Sequence, residues 1–147
     1  RTVAVEDIPT APGKTSLAVG EMITSVYLPA RGANAGDAYL RFIPRTEMDI
    51  AVVGCAVNLQ LDGKKIIKAR VALGAVAPTV LLVEEAANAI IGTELDDAAL
   101  EKLAAAASAA CNPITDKRGT IAFRTHVAGV LARRAAKIAY ERAEAAS

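Results

Sequence analysis

The most regular alternation of hydrophobic and polar positions lies between residues 51 and 61. Every odd position in this stretch is apolar, whereas the even positions include glycine, asparagine and glutamine. A period of two residues is typical of a strand that buries one face, so the pattern predicts a strand over residues 50–61. Two shorter apolar stretches predict strands over residues 38–43 and 66–74. The inward side chains predicted for the last of these are Ile67, Ala69, Val71 and Leu73.

The dipeptide Asp62-Gly63 separates the second and third predicted strands. Both residues tolerate the positive φ that a tight hairpin turn requires, so the two strands are predicted to pair in an antiparallel sheet. One face of such a sheet needs cover from other elements. That cover is expected from the carboxyl half of the chain.

The carboxyl half predicts three helices, because its apolar residues recur every three or four positions. The first runs over residues 80–91 and ends before Gly92, a residue type favoured just after a helix. The second is capped by Asp96 or Asp97 and stopped by Pro113, and the third runs over residues 120–144. Strands followed by helices predict an α+β fold. The apolar stripe predicted for the third helix is Phe123, Val127, Val130, Leu131, Ala135 and Ile138.

Composition narrows the classes of function. A chain of 147 residues suffices for one self-contained core. The net charge is +1, and 3% of the residues are aromatic with no tryptophan, which argues against a nucleic-acid partner. The apolar runs are too short to cross a bilayer and no signal segment begins the chain, so a soluble, cytoplasmic protein is expected. Cys55 and Cys111 lack metal-ligand spacing, and neither a metal site nor a catalytic residue is predicted.

Four charged residues precede the regular strand, namely Arg41, Arg45, Glu47 and Asp49. Loops that lead into a sheet often carry binding groups, so this segment is the main candidate for a functional site. On physical grounds alone, the same charges also fit the solvated end of a hairpin. Both interpretations remain open at this point.

Two other groups of residues are interpreted as structural. Asp116, Arg118 and Arg124 are predicted to form an ion-paired cluster that fixes the start of the third helix, because paired charges at the ends of elements are common. The segment GKT at residues 13–15 resembles the end of a phosphate-binding loop, but Ile8 occupies the position of the glycine required upstream. Neither group therefore predicts chemistry.

Four sequence motifs occur in order along the chain. The first joins APGKT at residues 11–15 to GE at 20–21 and LP at 28–29. The second is Tyr39-x-Arg41 followed by Arg45 and DIA at 49–51, the third is ALGAVAPT at 72–79, and the fourth joins DKRG at 116–119 to FR at 123–124. Together they resemble the C-terminal domain of the FAD-binding subunit of molybdenum hydroxylases, the family of carbon monoxide dehydrogenase and xanthine dehydrogenase. Ala11 and Phe123 differ from the glycine and tyrosine that are usual there.

The resemblance implies a three-stranded antiparallel sheet packed on a three-helix bundle. It also implies that residues 1–30 are the tail of a preceding FAD-binding domain and that residues 31–147 form the flavoprotein C-terminal domain, with the boundary in a connector at residues 31–37. The complete subunit would belong to an oxidoreductase and pass electrons from iron–sulfur centres through FAD to an acceptor. Its partners would be a molybdenum-cofactor large subunit, an iron–sulfur small subunit and the amino-terminal FAD domain.

In the family that the chain resembles, the residues that follow the charged loop reach the isoalloxazine ring of FAD. The resemblance therefore implies three cofactor-binding residues: Ile50 against the ring, Asp49 ordering the loop, and Arg41 as a basic group near the flavin. The glycine segments that would cradle the pyrophosphate do not occur here, so this chain alone is not expected to hold FAD or to be active. We interpret it as a truncated chain or a separately encoded half of the subunit. The alternative is a non-enzymatic scaffold or interaction domain of the same fold.

Overall fold

In the computed structural model, which describes residues 1–46 and 48–146, strands are followed by helices, as the α+β prediction requires. Glu47 and Ser147 lie outside the described residues. The elements are β1 Pro9–Ala11, β2 Lys14–Thr15, β3 Ala35–Phe42, β4 Val53–Asp62, β5 Lys65–Gly74, β6 Leu81–Leu82, α1 Glu84–Asn88, α2 Asp97–Ala109 and α3 Ile121–Ala145. β1 pairs with β2, and the main antiparallel sheet has the order β3-β4-β5-β6. The main sheet therefore has four strands rather than the expected three, because the sequence does not predict the short edge strand β6.

The regular strand predicted from the alternating pattern is β4, which lies between β3 and β5. Its odd-numbered residues are all buried, as the alternation predicts. The strand begins at Val53 rather than at residue 50, so Ile50 belongs to the preceding loop. β3 begins at Ala35, inside the predicted connector at residues 31–37, because Ala35 already pairs with Gln60 of β4.

One inward position of β5 differs from the prediction. Ile66 is fully buried, whereas Ile67, a predicted inward residue, is 45% exposed. The pairing of β4 with β5 shifts between Gln60 and Leu61, so Ile67 is the extra residue of a β-bulge and the alternation changes sides there. Beyond the bulge the predicted inward residues are fully or partly buried, namely Ala69, Val71 and Leu73.

The hairpin between β4 and β5 forms at the predicted place. Asp62 pairs with Lys65, so the turn residues are Gly63 and Lys64. Gly63 has a φ of 56°, which glycine adopts without the steric cost that other residues incur. The turn and the inward alternation together fix the register of the two strands.

The prediction of a helix over residues 80–91 is wrong for its first four residues, because α1 begins at Glu84. β6 pairs with β5 at the sheet edge instead, and the N–H of Val83 donates to the carbonyl of Val71 at 2.8 Å. α1 then spans only five residues. A short apolar run fits a helix and a short strand alike, and the open hydrogen-bonding edge of β5 favours the strand. Gly92 has a φ of 82°, but it lies in the turn after α1, four residues beyond the last helical residue, so it does not end the helix as predicted.

The two longer helices begin with side-chain caps, one of which the sequence predicts. The Asp96 carboxylate accepts a hydrogen bond from the N–H of Ala99 at 2.8 Å, which confirms Asp96 as the cap of α2. The Thr120 hydroxyl accepts one from the N–H of Phe123 at 3.1 Å, at the start of α3. α3 packs on β3 and β4, and α2 packs on α3. The sheet is thus covered on one face, as expected.

Alanine forms most of the buried face of α3. The predicted stripe is only partly right: Val127, Leu131 and Ala135 are buried, whereas Phe123 is exposed. Small side chains let helix and sheet backbones approach closely, so the buried face shifts toward the alanine positions. The further alanines buried there are Ala128, Ala132, Ala136, Ala139 and Ala143.

β3 lies directly against the backbone of α3 at Gly36. A Cβ atom at Gly36 would overlap the carbonyl oxygen of Ala139 and lie 2.6 Å from the backbone nitrogen of Ala143. These atoms belong to a helix backbone, which cannot rotate away as a side chain can. The close contact of strand and helix therefore requires glycine at this position.

A buried charge joins the start of α3 to the sheet. Arg124 is 3% exposed. Its Nη1 donates to the carbonyl oxygen of Val52 at 2.8 Å and to that of Ala75 at 3.3 Å, and its Nη2 donates to Asp116 Oδ1 at 2.6 Å. These bonds connect the start of β4, the turn after β5 and the segment before α3.

Replacing Gly36 by alanine is expected to lower the free energy of unfolding by roughly 1–3 kcal/mol, because the added methyl group overpacks a backbone contact. Gly74→Ala is the matched control, since a Cβ at Gly74 meets nothing within 4 Å. That change should leave stability unchanged or raise it by about 0.5–1 kcal/mol. Urea unfolding followed by circular dichroism measures both variants, and equal effects would contradict the close packing of β3 on α3.

Replacing Arg124 by methionine is expected to destabilise the chain, because the buried carbonyl of Val52 loses its donor. A buried carbonyl left unpaired costs about 1–3 kcal/mol. Arg133→Met, on the exposed side of the same helix, should change stability by less than about 0.5 kcal/mol. Similar melting temperatures for the two variants would show that the Arg124 hydrogen bonds contribute little.

Candidate functional site

The charged segment forms a loop between β3 and β4, the two strands against which α3 packs. Phe42 and Val53 pair at the ends of the strands, and the N–H of Val52 donates to the carbonyl of Phe42 at 2.9 Å. The ends of the loop are therefore held together by sheet hydrogen bonds. Within the loop, Glu47 is outside the described residues, whereas Asp49 and Ile50 are described.

Asp49 is the charged residue of the loop that is most nearly buried, with a side chain 5% exposed. Arg118 Nε lies 3.3 Å from Asp49 Oδ1, and Arg45 Nε lies 3.6 Å from Asp49 Oδ2. Burial tends to raise the pKa of this carboxyl group. The hydrogen bond from Arg118, the charge of Arg45 and the backbone N–H groups of Ile50 and Arg45 together outweigh burial, so the pKa lies below its usual value.

The predicted cluster of Asp116, Arg118 and Arg124 is confirmed. Asp116 Oδ1 accepts hydrogen bonds from the backbone N–H of Arg118 at 2.8 Å and from Arg124 Nη2 at 2.6 Å, and Arg118 Nη1 lies 3.6 Å from Asp116 Oδ2. The backbone hydrogen bond from Arg118, followed by the one from Arg124, holds the pKa of Asp116 below its usual value. The cluster thus carries an ionised carboxylate at neutral pH.

The cluster extends further than the sequence predicts, because Arg118 also reaches Asp49. One ion-paired chain therefore runs from Arg45 through Asp49, Arg118 and Asp116 to the buried Arg124. Asp49 and Arg118 are 69 residues apart, and local spacing carries no signal for such a contact. The ion pair of Arg45 with Asp49 could be predicted from the sequence, because these residues are four positions apart.

Ile50 follows the most buried charge of the loop and is itself 66% exposed. Met48, which precedes Asp49, is exposed and has a φ of 48°. A positive φ is strained for a residue with a side chain, and Arg45 Nη2 donates to the carbonyl of Met48 at 3.3 Å. Ion pairs and a hydrogen bond thus hold the loop, while the side chains of Met48 and Ile50 face outward.

Further exposed apolar side chains occur before the loop and at the start of α3. The rings of Phe42 and Phe123 pack edge to face, with their centroids 5.8 Å apart. Phe42 ends β3 and Phe123 lies in the first turn of α3, so this pair connects the same two segments as the ion-paired chain. The exposed large apolar residues of these segments are Phe42, Met48, Ile50, Ile114, Ile121 and Phe123.

Arg41 lies on β3, opposite Gly54 of β4. Two other residues of the strand, Ala38 and Leu40, face the core: Ala38 is buried beneath the helices, and Leu40 packs against the same core. Alternation along the strand places Arg41 on the opposite face, and it forms no ion pair with any residue that the structure describes. The structure therefore brings Asp49 and Ile50 together in one loop and leaves Arg41 apart, on the uncovered face of the sheet.

Neither cysteine is placed to act as a metal ligand. Cys55 is fully buried in β4, as predicted, and burial raises the pKa of its thiol to about 12. Across residues 1–46 and 48–146, no group of three or more histidine, cysteine, aspartate or glutamate side chains could hold a metal ion. Over the same described ranges, none of the helices combines the length and hydrophobicity that crossing a bilayer requires.

The geometry of the loop suits contact with an apolar surface. Both carboxylates of the ion-paired chain are engaged by arginines and held ionised, which does not favour a role in proton transfer. Ile50 is an exposed apolar side chain on a backbone that is fixed at Asp49 and at Val52. A fixed apolar contact with polar groups around it is what a flat ring system requires from a protein.

The sequence of the chain is similar to those of known proteins. Residues 38–139 match the CO dehydrogenase flavoprotein C-terminal domain. The chain is 38% identical over 144 residues to the carbon monoxide dehydrogenase medium chain of Afipia carboxidovorans, a match that covers 98% of this chain and 50% of that protein. It is 29% identical over 128 residues to the putative xanthine dehydrogenase FAD-binding subunit of Escherichia coli K12, a match that covers 86% of this chain and 44% of that protein.

The fold agrees as well. The reconstituted CO dehydrogenase from Oligotropha carboxidovorans matches with a TM-score of 0.92 and 37% identity, over 97% of this chain and 49% of that chain. The chain thus spans about half the length of the curated relatives it matches. The match of the family to most of the chain, together with these identities, shows that the chain belongs to the CO dehydrogenase flavoprotein C-terminal domain family.

Proposed function

We propose that this chain is the carboxyl-terminal part of the flavin subunit of a molybdenum-containing hydroxylase or dehydrogenase. The complete subunit would pass electrons from iron–sulfur centres through FAD to an acceptor. Relatives named as a carbon monoxide dehydrogenase medium chain and a xanthine dehydrogenase FAD-binding subunit support this proposal. The single observation that carries it is the exposure of Ile50, an apolar side chain 66% exposed on a loop in which the buried carboxylate of Asp49 pairs with Arg118 and Arg45.

The residues of the loop fit a flavin ring in two respects. Ile50 offers an apolar contact for one face of the ring, and Asp49 orders the loop through Arg118 and Arg45. Arg41, which lies on β3 apart from these two residues, is proposed as a basic group near the flavin from the family resemblance alone. FAD, when bound, supplies the electron-transfer chemistry, and the residues of this chain bind and orient it.

Residues 1–30 are proposed to be the tail of a preceding FAD-binding domain. Their two strands, β1 and β2, form a separate small sheet rather than joining the main one. The ion pair between Glu6 and Arg70, at 3.4 Å, connects this segment with the sheet. Large apolar residues that remain exposed there need a partner surface, and they are Val5, Val19, Met22, Ile23, Val26, Tyr27 and Leu28.

The boundary of the second domain is proposed at residues 31–37, so that residues 31–147 form the flavoprotein C-terminal domain. The family match begins at residue 38, close to this boundary. β3 starts at Ala35 and is already part of the main sheet. The partners proposed for the complete subunit are a molybdenum-cofactor large subunit and an iron–sulfur small subunit.

The 147-residue chain alone is expected to retain no FAD, because it lacks the glycine-rich backbone that would bind the pyrophosphate. The chain is purified in excess FAD and desalted, and its visible absorption is measured. The same treatment of the holoprotein, meaning the complete protein isolated from cells that make this chain, should leave bound flavin. Stoichiometric flavin on the isolated chain would contradict the division of the subunit into two parts.

Ile50→Ala in the holoprotein is expected to weaken FAD retention, because it removes an apolar contact worth about 2 kcal/mol if the ring covers it fully. That energy corresponds to roughly a thirtyfold change in affinity. Ile67→Ala is the matched control, since it alters another exposed isoleucine outside the loop. Asp49→Asn should have a smaller effect, through loss of charge-assisted hydrogen bonds.

The two measurements are flavin content and the rate of acceptor reduction at equal protein concentration. If the wild-type holoprotein contains flavin and neither Ile50→Ala nor Asp49→Asn changes the two measured values, the loop is a solvated hairpin end. A holoprotein without any flavin would favour the scaffold interpretation instead.

A further inference from the structure

Arg118 links the loop that carries Ile50 to the segment that precedes α3. Its Nε lies 3.3 Å from Asp49 Oδ1 and its Nη1 lies 3.6 Å from Asp116 Oδ2. Its own backbone N–H donates to Asp116 Oδ1 at 2.8 Å. The arginine is therefore fixed at its backbone and at its side chain by the same carboxylate, and it presents the remaining part of its guanidinium group to the loop.

Both flanks of Ile50 are held by arginines from one short segment. On the amino-terminal side, Arg118 holds the side chain of Asp49. On the carboxyl-terminal side, Arg124 holds the backbone carbonyl of Val52 at 2.8 Å. The two arginines meet at Asp116, so the position of Ile50 is defined relative to the start of α3.

Arg45 also pairs with Asp49, but it cannot fix the position of Ile50 relative to the start of α3. It belongs to the loop itself, and its side chain is 71% exposed. A salt bridge within a loop stabilises the shape of the loop but does not fix the loop relative to the rest of the domain. Arg118 comes from a distant part of the chain and supplies that connection.

The two anchoring arginines differ in burial, and this separates their roles. The side chain of Arg124 is 4% exposed, whereas that of Arg118 is 33% exposed. Removing Arg124 leaves buried partners unpaired and affects folding. Removing Arg118 leaves Asp49 paired with Arg45 and Asp116 paired with Arg124, so folding should change little.

We propose that Arg118 is a positioning residue for the flavin, which sets the place of Ile50 against the ring without touching the ring itself. This inference rests on the proposed function and adds a residue to it. Binding groups must be held to within about 0.5 Å by the residues behind them. A loop released from Arg118 keeps its internal ion pair and the contact of Val52 with Arg124, but the Asp49 side of the loop is no longer fixed relative to α3.

The test compares Arg118→Gln with Arg133→Gln in the holoprotein. Arg133 is an exposed residue of α3 and takes no part in the ion-paired chain of the loop, so the control removes a positive charge without disturbing the loop. Arg118→Gln is expected to weaken FAD binding on the order of tenfold, as loss of a supporting residue typically does. It should also change the visible spectrum of the flavin at saturating FAD, which a purely structural residue would not do.

A second variant and a stability measurement complete the test. Arg118→Lys should restore binding in part, because an ammonium group can pair with one carboxylate but lacks the fork that reaches two. The melting temperature of the 147-residue chain should fall about as little for Arg118→Gln as for Arg133→Gln. A larger fall would make Arg118 a structural residue and overturn the inference.

The remaining outcomes separate this inference from the proposed function. If the wild-type holoprotein contains FAD and Arg118→Gln matches Arg133→Gln in affinity and spectrum, the inference fails and the proposed function stands. If the wild-type holoprotein contains no flavin, the proposed function fails and the inference fails with it.

Discussion

The buried guanidinium group of Arg124 is the interaction on which the arrangement of the candidate site depends. A charge removed from water is costly unless it is paired and hydrogen-bonded. Here the carboxylate of Asp116 and the carbonyl oxygens of Val52 and Ala75 provide that pairing. Since these acceptors belong to three separate segments, the requirement to satisfy one cation brings those segments to one point.

Close packing of backbones makes this arrangement possible. α3 meets the sheet through alanines, and β3 lies against α3 at Gly36, where even a methyl group has no room. A helix with larger side chains on this face would stand further from the sheet. The head group of Arg124 would then lie further from the carbonyl of Val52, and its hydrogen bond would lengthen. The composition of α3 and the geometry of the loop are therefore connected.

Features set by local sequence are predictable, and features set by distant contacts are not. The alternation in β4, the Asp96 cap and the hairpin turn follow from neighbouring residues, and all three are confirmed. The exposure of Ile67 results from a bulge that depends on the pairing of two strands. β6 forms because β5 offers an open edge, which the sequence of residues 80–91 does not reveal.

In the candidate site, too, local features are predictable from the sequence and distant contacts are not. The family resemblance is carried by four motifs and is confirmed, and it implies Asp49, Ile50 and Arg41 as residues that bind the cofactor. The roles of these three residues remain a proposal. The contact between Asp49 and Arg118 cannot be found from spacing, because 69 residues separate them. Two motifs that are distant in sequence, the charged loop and the DKRG segment, are joined by this contact.

The ion-paired network fixes the backbone of the loop on which the exposed side chain of Ile50 is carried. An exposed isoleucine gains nothing for folding, and ion pairs near the surface add little stability. A binding group that is already ordered, however, loses less conformational entropy when its ligand arrives. The arginines that pair with the loop order it when the domain folds, so this entropy is lost during folding rather than during binding. Under the proposed function, ion pairs that contribute little to the stability of the domain would therefore contribute to the affinity of the contact at Ile50.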